Sequence, residues 1–400
     1  MLAPPARRRY ALVRQARGGS LPLGRGPSSH ERKAVIMISQ TFHTVITQPT
    51  TLCNMDCSYC YLPGRKRPNL MSAAVAEAVA ASIVEQGDRD PVAVVWHCGE
   101  PLATPIVHMR RLLKAFDSMP VQHSVQTNAT LIDDAWCDLL AQYQFGVGIS
   151  IDGPAVRNAA RVDWAGRETF SRTMRGIGKL RQAGIPYTAI CVVTPETIGR
   201  AEELVRFFID LGATSVGFNL EEREGANNTR QVIRHDLAEA FWLRLWQLHE
   251  DGVQLPIRDL DRVRDWLAAR RAGNLAYGAD PVGPLPTISF NGDVVMLSPE
   301  LLGIQDQAHG NFVVGNVLNQ PLPIIVRQAM SATYIQDFLN GLHACEASCE
   351  FWDFCRGAHA GNRYFENGSF ASTETAHCRN TKQALARSAL AHLSREEVYT

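Results

Sequence analysis

The sequence predicts an α/β protein: a partial (β/α)6 barrel of the TIM-like kind, followed by a cysteine-rich C-terminal domain. Three observations predict this fold class. Apolar strand-like runs alternate with amphipathic helical runs from residue 42 to residue 250, which favours a parallel sheet with right-handed crossovers. Six such units are too few to close an eight-stranded barrel. Beyond them, four of the ten cysteines fall within residues 340–400.

The predicted strands are short apolar runs at 42–47, 92–97, 121–126, 145–151, 187–193 and 214–219. The predicted helices have apolar residues at helical spacing and lie at 72–86, 105–117, 132–142, 168–183, 199–211 and 232–250. Ser72 is a typical N-cap residue, and Gly184 and Gly212 stand where glycines commonly end helices. Because catalytic groups of such barrels lie at the carboxyl ends of the strands, we look for site residues there.

The expected regions, in order, are a disordered basic tail (1–40), the barrel (41–250), a helix and linker (251–285), the cysteine-rich domain (286–385) and a C-terminal tail (386–400). The basic, Pro/Gly-rich lead has no periodicity, which is typical of disorder; the alternative is an over-extended start whose natural initiator lies nearer Met37. A short helix is expected at 256–271, and the last 20 residues also predict a helix.

A hairpin is expected just after the linker. Its strands are Thr287–Phe290 and Val294–Leu297, and Asn291-Gly292 between them favours a type I′ turn.

Composition excludes several classes of protein. Lys plus Arg number 40 and Asp plus Glu number 40, so no global field indicates a nucleic-acid or membrane partner. The chain has no run of 18 apolar residues and no apolar signal-peptide core, so neither a transmembrane helix nor a signal peptide is expected. Clustered cysteines fit metal ligation better than extracellular disulfides, which predicts a cytoplasmic protein.

Cys53, Cys57 and Cys60 form a CX3CX2C pattern directly after the first predicted strand. Thiolates are soft ligands that hold iron–sulfur clusters. A [4Fe-4S] cluster has four irons, so three cysteines leave one iron open to a small molecule. The alternatives are a zinc site, which normally has four ligands, and three buried structural cysteines.

With Tyr59 as the aromatic residue before the third cysteine, this pattern resembles the signature of the radical S-adenosylmethionine (SAM) family. The resemblance implies that the three cysteines bind a [4Fe-4S] cluster whose open iron is chelated by the amino and carboxylate groups of SAM. Reductive cleavage of SAM then gives a 5′-deoxyadenosyl radical.

The loop after the second predicted strand reads Cys98-Gly99-Glu100-Pro101, where radical SAM enzymes usually have Gly-Gly-Glu-Pro. The resemblance implies that the backbone of this loop and the side chain of Glu100 hold the amino group of SAM, and a carboxylate facing an ammonium group is a strong pairing. Cys98 replaces the first glycine, either as a small residue or as an extra thiol near the cluster.

Two further strand ends resemble segments that line the SAM pocket of this family. Gln126 and Asn128 offer amide groups, and Ser150 and Asp152 can bind ribose hydroxyls or polar groups of the methionine moiety. The segment 192–194 on the fifth strand is expected to meet the adenine. The alternatives are ordinary strand-end turns and a buried core strand.

A second group consists of Cys345, Cys349, Cys355 and Cys378. Four thiolates can ligate one [4Fe-4S] cluster, and zinc is the main alternative. The stretch resembles the SPASM domain, which usually carries two auxiliary clusters.

Ser298 and His359 stand where ligands of the first SPASM cluster would be, so we expect one auxiliary [4Fe-4S] cluster. Cys137 and Cys191 fall on a predicted helix and strand and are expected in the core.

Three stretches resemble the GrrM/OscB-type peptide maturases: Thr47–Met71, Ser298–Leu301 and Asn362–Gly368. The implied function is to crosslink an aromatic side chain to a nearby side-chain Cβ, as a three-residue cyclophane, in a ribosomally synthesised precursor peptide. Glu300 and Asp293 are candidates for the proton acceptor, and the alternative for each is a solvated carboxylate in a turn. The auxiliary cluster is the expected electron acceptor, and flavodoxin or ferredoxin is the expected electron donor.

Two other readings remain open. One is a different SPASM enzyme, either an anaerobic sulfatase-maturating oxidase or a thioether-forming synthase. The other is a non-catalytic iron–sulfur or zinc regulatory protein.

Overall fold

The computed structural model describes residues 36–399 except 88–89, 229, 275–277 and 279–280. The expected tail at 1–40 therefore lies almost entirely outside the described residues. From Ile36 onward the chain forms one compact unit.

Nine strands form one sheet, in the order β6-β5-β4-β3-β2-β1-β7-β8-β9. The strands are β1 (Thr44–Thr47), β2 (Val92–Trp96), β3 (Val121–Thr127), β4 (Gly146–Ser150), β5 (Tyr187–Val193), β6 (Val216–Leu220), β7 (Thr287–Ile288), β8 (Asp293–Val295) and β9 (Gly315–Asn316). Strands β1 to β6 pair in parallel with their sequence neighbours. The predicted partial barrel is thus confirmed, with strand ends shifted by at most two residues.

Seven helices belong to the barrel and the segment after it: α1 (Ala73–Gln86), α2 (Ile106–Leu113), α3 (Asp134–Gln142), α4 (Phe170–Gln182), α5 (Ala201–Leu211), α6 (His235–Glu250) and α7 (Arg258–Arg271). Ser72 caps α1 by accepting a hydrogen bond from the Val75 N–H. Gly212 ends α5 in the left-handed conformation, as expected, and Gly184 after α4 also has a positive φ. These caps fix where each helix turns back towards the next strand.

The hairpin adds to the barrel sheet through β7, which pairs in parallel with β1, while β8 and β9 pair antiparallel. The predicted type I′ turn is wrong. Gly292 has a positive φ but Asn291 does not, and the Gly292 N–H donates to the Ser289 carbonyl. The loop is therefore the three-residue kind that ends in a left-handed glycine.

Six helices follow the hairpin: α8 (Leu322–Ala329), α9 (Thr333–Ser348), α10 (Trp352–Cys355), α11 (Ala360–Asn367), α12 (Ala376–Cys378) and α13 (Ala384–Tyr399). A π-helical turn at Arg379–Gln383 joins the last two. Here the Trp242 indole N–H donates to the Asn380 carbonyl at 2.7 Å, so the C-terminal segment is attached to α6 of the barrel. No helix in the described ranges is long and apolar enough to cross a membrane.

Candidate functional site

A cavity of about 270 Å³ lies at the carboxyl ends of the parallel strands. Among the residues predicted from the sequence, its wall includes Cys53, Cys57, Cys60, Gly99, Glu100, Gln126, Asn128, Ser150, Val192 and Glu300. The barrel therefore brings together most of the candidates from the ends of five strands, β1 to β5, and adds Glu300 from the region after the hairpin.

The three-cysteine loop is held by hydrogen bonds at its start and in its middle. The Cys53 N–H donates to Arg65 O at 2.9 Å, and the Asp56 N–H donates to Val162 O at 2.7 Å. The Trp164 indole N–H donates to the Cys53 carbonyl at 2.8 Å. Burial raises the pKa of the Cys53 thiol to about 12, so binding of a metal, which requires the thiolate, would displace a proton.

The Cys98-Gly99 segment approaches this loop through its backbone. Gly99 has φ +110°, and a Cβ there would lie 2.5 Å from the Thr50 carbonyl oxygen, so only glycine fits. Cys98 adopts a φ of 65°, a left-handed conformation that costs a non-glycine residue free energy. At the position of the usual glycine, this chain thus holds a cysteine in a left-handed backbone conformation.

Glu100 is buried, and its carboxylate accepts three hydrogen bonds from the protein. The donors are the Leu102 N–H at 3.0 Å, the Thr127 hydroxyl at 2.7 Å and the Asn128 N–H at 2.8 Å. Burial raises its pKa, and these hydrogen bonds act in the opposite direction. Glu100 therefore joins the ends of β2 and β3, and it lines the cavity as well.

Gln126 and Asn128 face the cavity from the end of β3. The Gln126 amide donates to the Ser150 hydroxyl at 2.7 Å, which joins β3 to β4. The Asn128 amide donates to Asn54 Oδ1 at 2.9 Å, which ties the three-cysteine loop to the barrel. These contacts fix the positions of the polar groups before any ligand binds.

Asp152 is buried behind the cavity wall and is absent from its lining. Its carboxylate accepts hydrogen bonds from the Tyr59 hydroxyl, from Arg161 Nη2 at 2.9 Å and from the Val192 N–H at 3.0 Å. Asp152 therefore contacts the three-cysteine loop through Tyr59 and does not line the cavity.

Arg161 was not identified from the sequence. It lines the cavity, is 6% exposed, and its Nε–H has no hydrogen-bond partner among the described residues. A free N–H on a buried guanidinium is suited to an anionic group of a ligand. The signal in the sequence is absent, because a single arginine in a loop has no spacing that marks it.

Part of the cavity wall is acidic. It contains Glu221, Glu222 and Glu224, which follow β6, together with Glu300. Glu224 is 4% exposed, and its carboxyl group accepts no hydrogen bond from the described residues. Burial and the neighbouring carboxylates of Glu222 and Glu300 raise its pKa well above the ordinary value.

The two candidates for proton acceptor lie in different places. Glu300 lines the cavity and accepts a hydrogen bond from the Ser298 hydroxyl. Burial raises the pKa of Glu300, and the Ser298 hydrogen bond lowers it. Asp293 instead lies on the hairpin, where it accepts from the Asn291 and Asn316 amides at 2.8 and 2.9 Å, and it does not line this cavity.

The positions expected for a first SPASM cluster hold other side chains. The Ser298 hydroxyl donates a hydrogen bond to the Glu300 carboxylate, and the ring centroids of His359 and His377 lie 5.7 Å apart. His377 in turn contacts the Glu222 carboxylate. A polar network therefore occupies this region.

A second cavity, of about 540 Å³, is lined by Cys345, Cys349, Cys355 and Cys378. Cys345 lies in the last turn of α9, Cys349 caps that helix, and Cys355 and Cys378 end α10 and α12. The four thiols thus come from the ends of three helices and face one space.

None of the ten cysteines forms a disulfide, and Cys137 and Cys191 are buried in the core as expected. No group of three or more His, Cys, Asp or Glu side chains in the described part of the chain is arranged to hold a single metal ion. Tetrahedral zinc needs thiolates about 2.3 Å from one centre, whereas a cluster of several irons is larger and separates its ligands further. The size of the second cavity and its four thiols fit a cluster of that kind.

The Radical SAM superfamily model matches residues 47–221. An uncharacterized protein of Synechocystis sp. is 32% identical over 365 residues, which covers 86% of this chain and 89% of that protein. A serine-type anaerobic sulfatase-maturating enzyme of Klebsiella aerogenes is 32% identical over 195 residues, 46% of this chain and 48% of the enzyme. The chain therefore aligns with about half the length of that enzyme.

Solved structures share the fold. The enzyme anSMEcpe with bound AdoMet superposes with a TM-score of 0.70 at 19% identity, covering 88% of this chain and 98% of that one. Streptococcus suis SuiB bound to its precursor peptide SuiA gives a TM-score of 0.61 at 16% identity, covering 85% and 76%. These structures show the shared fold. The matched family model and the relatives in sequence establish that the chain belongs to the radical SAM superfamily of enzymes, which use SAM and a [4Fe-4S] cluster.

Proposed function

We propose that this enzyme modifies a ribosomally synthesised precursor peptide by joining an aromatic ring carbon to a side-chain Cβ within three residues, forming a cyclophane. The observation that carries the proposal is the cavity in which the three-cysteine loop of the barrel faces Glu300 of the C-terminal region. A group that generates a radical and a group that accepts a proton would there act on one substrate.

In this proposal Cys53, Cys57 and Cys60 hold the SAM-binding cluster. Arg161, whose Nε–H is free, binds the carboxylate of SAM, while Gly99 and Glu100 shape the place of its amino group. When bound, these cofactors supply a 5′-deoxyadenosyl radical that removes one hydrogen atom from the peptide Cβ. Arg161 and the strand-end amides orient SAM in the cavity.

Closing the ring removes two hydrogens from the peptide. The first leaves as the abstracted atom, and the second leaves the aromatic ring as a proton. A [4Fe-4S] cluster held by Cys345, Cys349, Cys355 and Cys378 would supply the acceptor for the one electron that must also leave. Glu300 accepts that proton, because its raised pKa makes its carboxylate a stronger base than an exposed glutamate. Glu224 beside it shares the acidic wall and can hold a proton as well.

Two findings favour a substrate other than a sulfatase. The resemblance to the sulfatase-maturating enzyme covers 46% of this chain, whereas the resemblance to the Synechocystis protein covers 86%. In addition, Ser298 and His359 stand where cluster ligands are expected, and the network around Glu222 fills that region. Side chains in this region that differ from the expected cluster ligands support a substrate that differs from a sulfatase.

The test is co-expression with a candidate precursor-peptide gene found near this gene, with flavodoxin or ferredoxin as electron donor. Tandem mass spectrometry should find a loss of two hydrogens in a segment that resists fragmentation, and NMR should find a bond between a ring carbon and a Cβ. The Cys57→Ala variant should give unmodified peptide. A thioether or an epimerised residue in the product would reject the cyclophane.

The second candidate function is sulfatase maturation, which the 32% identity over 195 residues to the Klebsiella aerogenes enzyme favours. Incubation with a sulfatase-derived peptide distinguishes the two functions. Formylglycine in that peptide, with no change in the precursor peptide, would establish this alternative and reject the first.

A further inference from the structure

Arg363 on α11 is only 1% exposed, although a guanidinium group always carries a charge. Its Nη2 donates to the Gly357 carbonyl at 2.9 Å and to Cys345 Sγ at 3.3 Å. Its Nη1 donates to the Ser372 carbonyl. The guanidinium is therefore in direct contact with one of the four thiols that line the second cavity.

The charge of Arg363 has no carboxylate to balance it within the described residues, where no ion pair includes it. Its remaining neighbours are carbonyl groups and the ring of Phe338, whose centroid lies 5.2 Å from Cζ. A buried charge without a counter-ion is costly. Among its hydrogen-bond partners, only Cys345 can carry a full negative charge.

The space for this guanidinium is built by the helix that carries Cys345. Gly341 lies one turn before Cys345 on α9, and a Cβ at Gly341 would lie 2.2 Å from Arg363 Nη1. Any larger residue at this position would force the arginine away from the sulfur. Backbone, glycine and aromatic ring thus hold the donor in one orientation.

We propose that Arg363 is the counter-charge of the auxiliary cluster and raises its reduction potential. The inference rests on the proposed cluster at Cys345, Cys349, Cys355 and Cys378. A hydrogen bond to a ligating sulfur and a nearby positive charge both stabilise the added electron, and both raise the potential of an iron–sulfur cluster. The step concerned is a one-electron oxidation of the peptide radical, in which the electron goes to the cluster and the ring proton goes to Glu300.

Arg387 supplies a matched control. It lines the same cavity, but its side chain is 43% exposed and pairs with Glu350 at 3.4 Å. Exposed charges are screened by water, so removing this one should change the potential little. The two arginines therefore separate a buried contact with the sulfur from a charge that is merely near the cluster.

The experiment uses the full chain carrying Cys53→Ala, Cys57→Ala and Cys60→Ala, so that the auxiliary cluster is the one measured. Iron is counted first, and the midpoint potential is then measured by a titration followed by electron paramagnetic resonance. In this background Arg363→Met should lower the equilibrium constant for electron uptake at least tenfold, about 59 mV for one electron. Arg387→Met should leave the midpoint unchanged, and Arg363→Lys should fall between the two.

Each of the remaining outcomes either supports or overturns the proposed role of Arg363. Retention of iron by Arg363→Lys but not by Arg363→Met supports the counter-charge, because lysine keeps the positive charge and an N–H donor that methionine lacks. A full iron content with an unchanged midpoint in Arg363→Met overturns the inference, as does loss of iron from both variants. Absence of iron from the parent protein overturns the proposed cluster itself, and the inference with it.

Discussion

Glu300 is the residue on which the proton balance of the proposed reaction depends. Burial raises its pKa, so the carboxylate should be lost as the pH falls, and lost at a higher pH than in an exposed glutamate. Product formation should therefore decline through an acid limb set by Glu300. Glu300→Gln should slow product formation roughly 10²- to 10⁴-fold and remove that limb.

Ser298 gives the sharper form of this test. Its hydrogen bond lowers the pKa of Glu300, so Ser298→Ala should move the acid limb to higher pH. Asp293→Asn is the control, because Asp293 bonds to two asparagine amides away from the cavity. A shift of the limb in Asp293→Asn, and none in Ser298→Ala, would transfer the role to Asp293.

Arg161 should decide the affinity for SAM. A hydrogen bond to a charged group contributes about 1.5–3 kcal/mol. Arg161→Lys keeps the positive charge beside Asp152 but loses the forked guanidinium, so it should weaken SAM binding roughly 10- to 150-fold. Equilibrium dialysis of SAM with reconstituted protein measures this. Arg167→Lys, at a side chain that is 76% exposed, is the control. Equal dissociation constants for both variants would remove Arg161 from the SAM site.

Residue type and spacing allowed part of the site to be predicted. Cysteines at fixed intervals and a glycine before a glutamate form a pattern within the sequence itself, so these candidates could be named before the structure was known. Arg161, Glu224 and Arg363 were missed because each acts through distances that exist only after folding. The hydrogen bonds of Asp152 were not foreseen for the same reason, since Tyr59 lies on the three-cysteine loop and Arg161 lies nine residues further along the chain.

At the scale of elements, helix α4 is positioned by a close approach of its backbone to the loop after β3. A Cβ at Gly176 would lie 1.9 Å from the Ala129 carbonyl oxygen, and the Thr173 hydroxyl donates to Asn128 O at 3.0 Å. Gly176→Ala should therefore destabilise the protein by roughly 1–3 kcal/mol and displace Asn128 from the cavity.

Gly178 on the same helix is the matched comparison, because nothing lies within 4 Å of a Cβ placed there. Gly178→Ala should stabilise by up to about 1 kcal/mol, since alanine is the better helix former. Urea denaturation of the two variants measures both effects. Equal midpoints for the two would show that α4 can shift without cost.

Strands and helices were predicted well where hydrophobic periodicity is strong, and the hairpin was predicted poorly because its loop conformation depends on a few residues. All six barrel strands and their helices were found, because each buries one regular face. The hairpin turn was predicted from the Asn291-Gly292 pair alone. In the structure the Gly292 N–H donates to the Ser289 carbonyl, and the loop has three residues instead of two. The pairing of β7 with β1 was not foreseen, since two-residue strands carry no periodic signal.

At the scale of the whole molecule, the two groups of cysteines lie in separate cavities. We expect about eight irons per chain after anaerobic reconstitution, counting four for each cluster. Replacing all three of Cys53, Cys57 and Cys60 by alanine should leave about four irons and abolish SAM cleavage. About twelve irons would reveal a second auxiliary cluster, and about four irons with one zinc would assign the four-cysteine cavity to zinc.

Because β7 pairs with β1, the strand leading into the three-cysteine loop has a neighbour on each side. The N–H groups of Ile46 and Gln48 donate to the Pro286 and Ile288 carbonyls at 3.0 and 2.9 Å. A fragment ending at residue 272 would leave these donors unpaired along an open strand, and such edges recruit other chains. We expect that fragment to self-associate with rising concentration in light scattering, whereas a monodisperse fragment would show that the barrel can protect this edge alone. On this expectation the hairpin protects the barrel from aggregation by covering the edge of β1, apart from any chemistry.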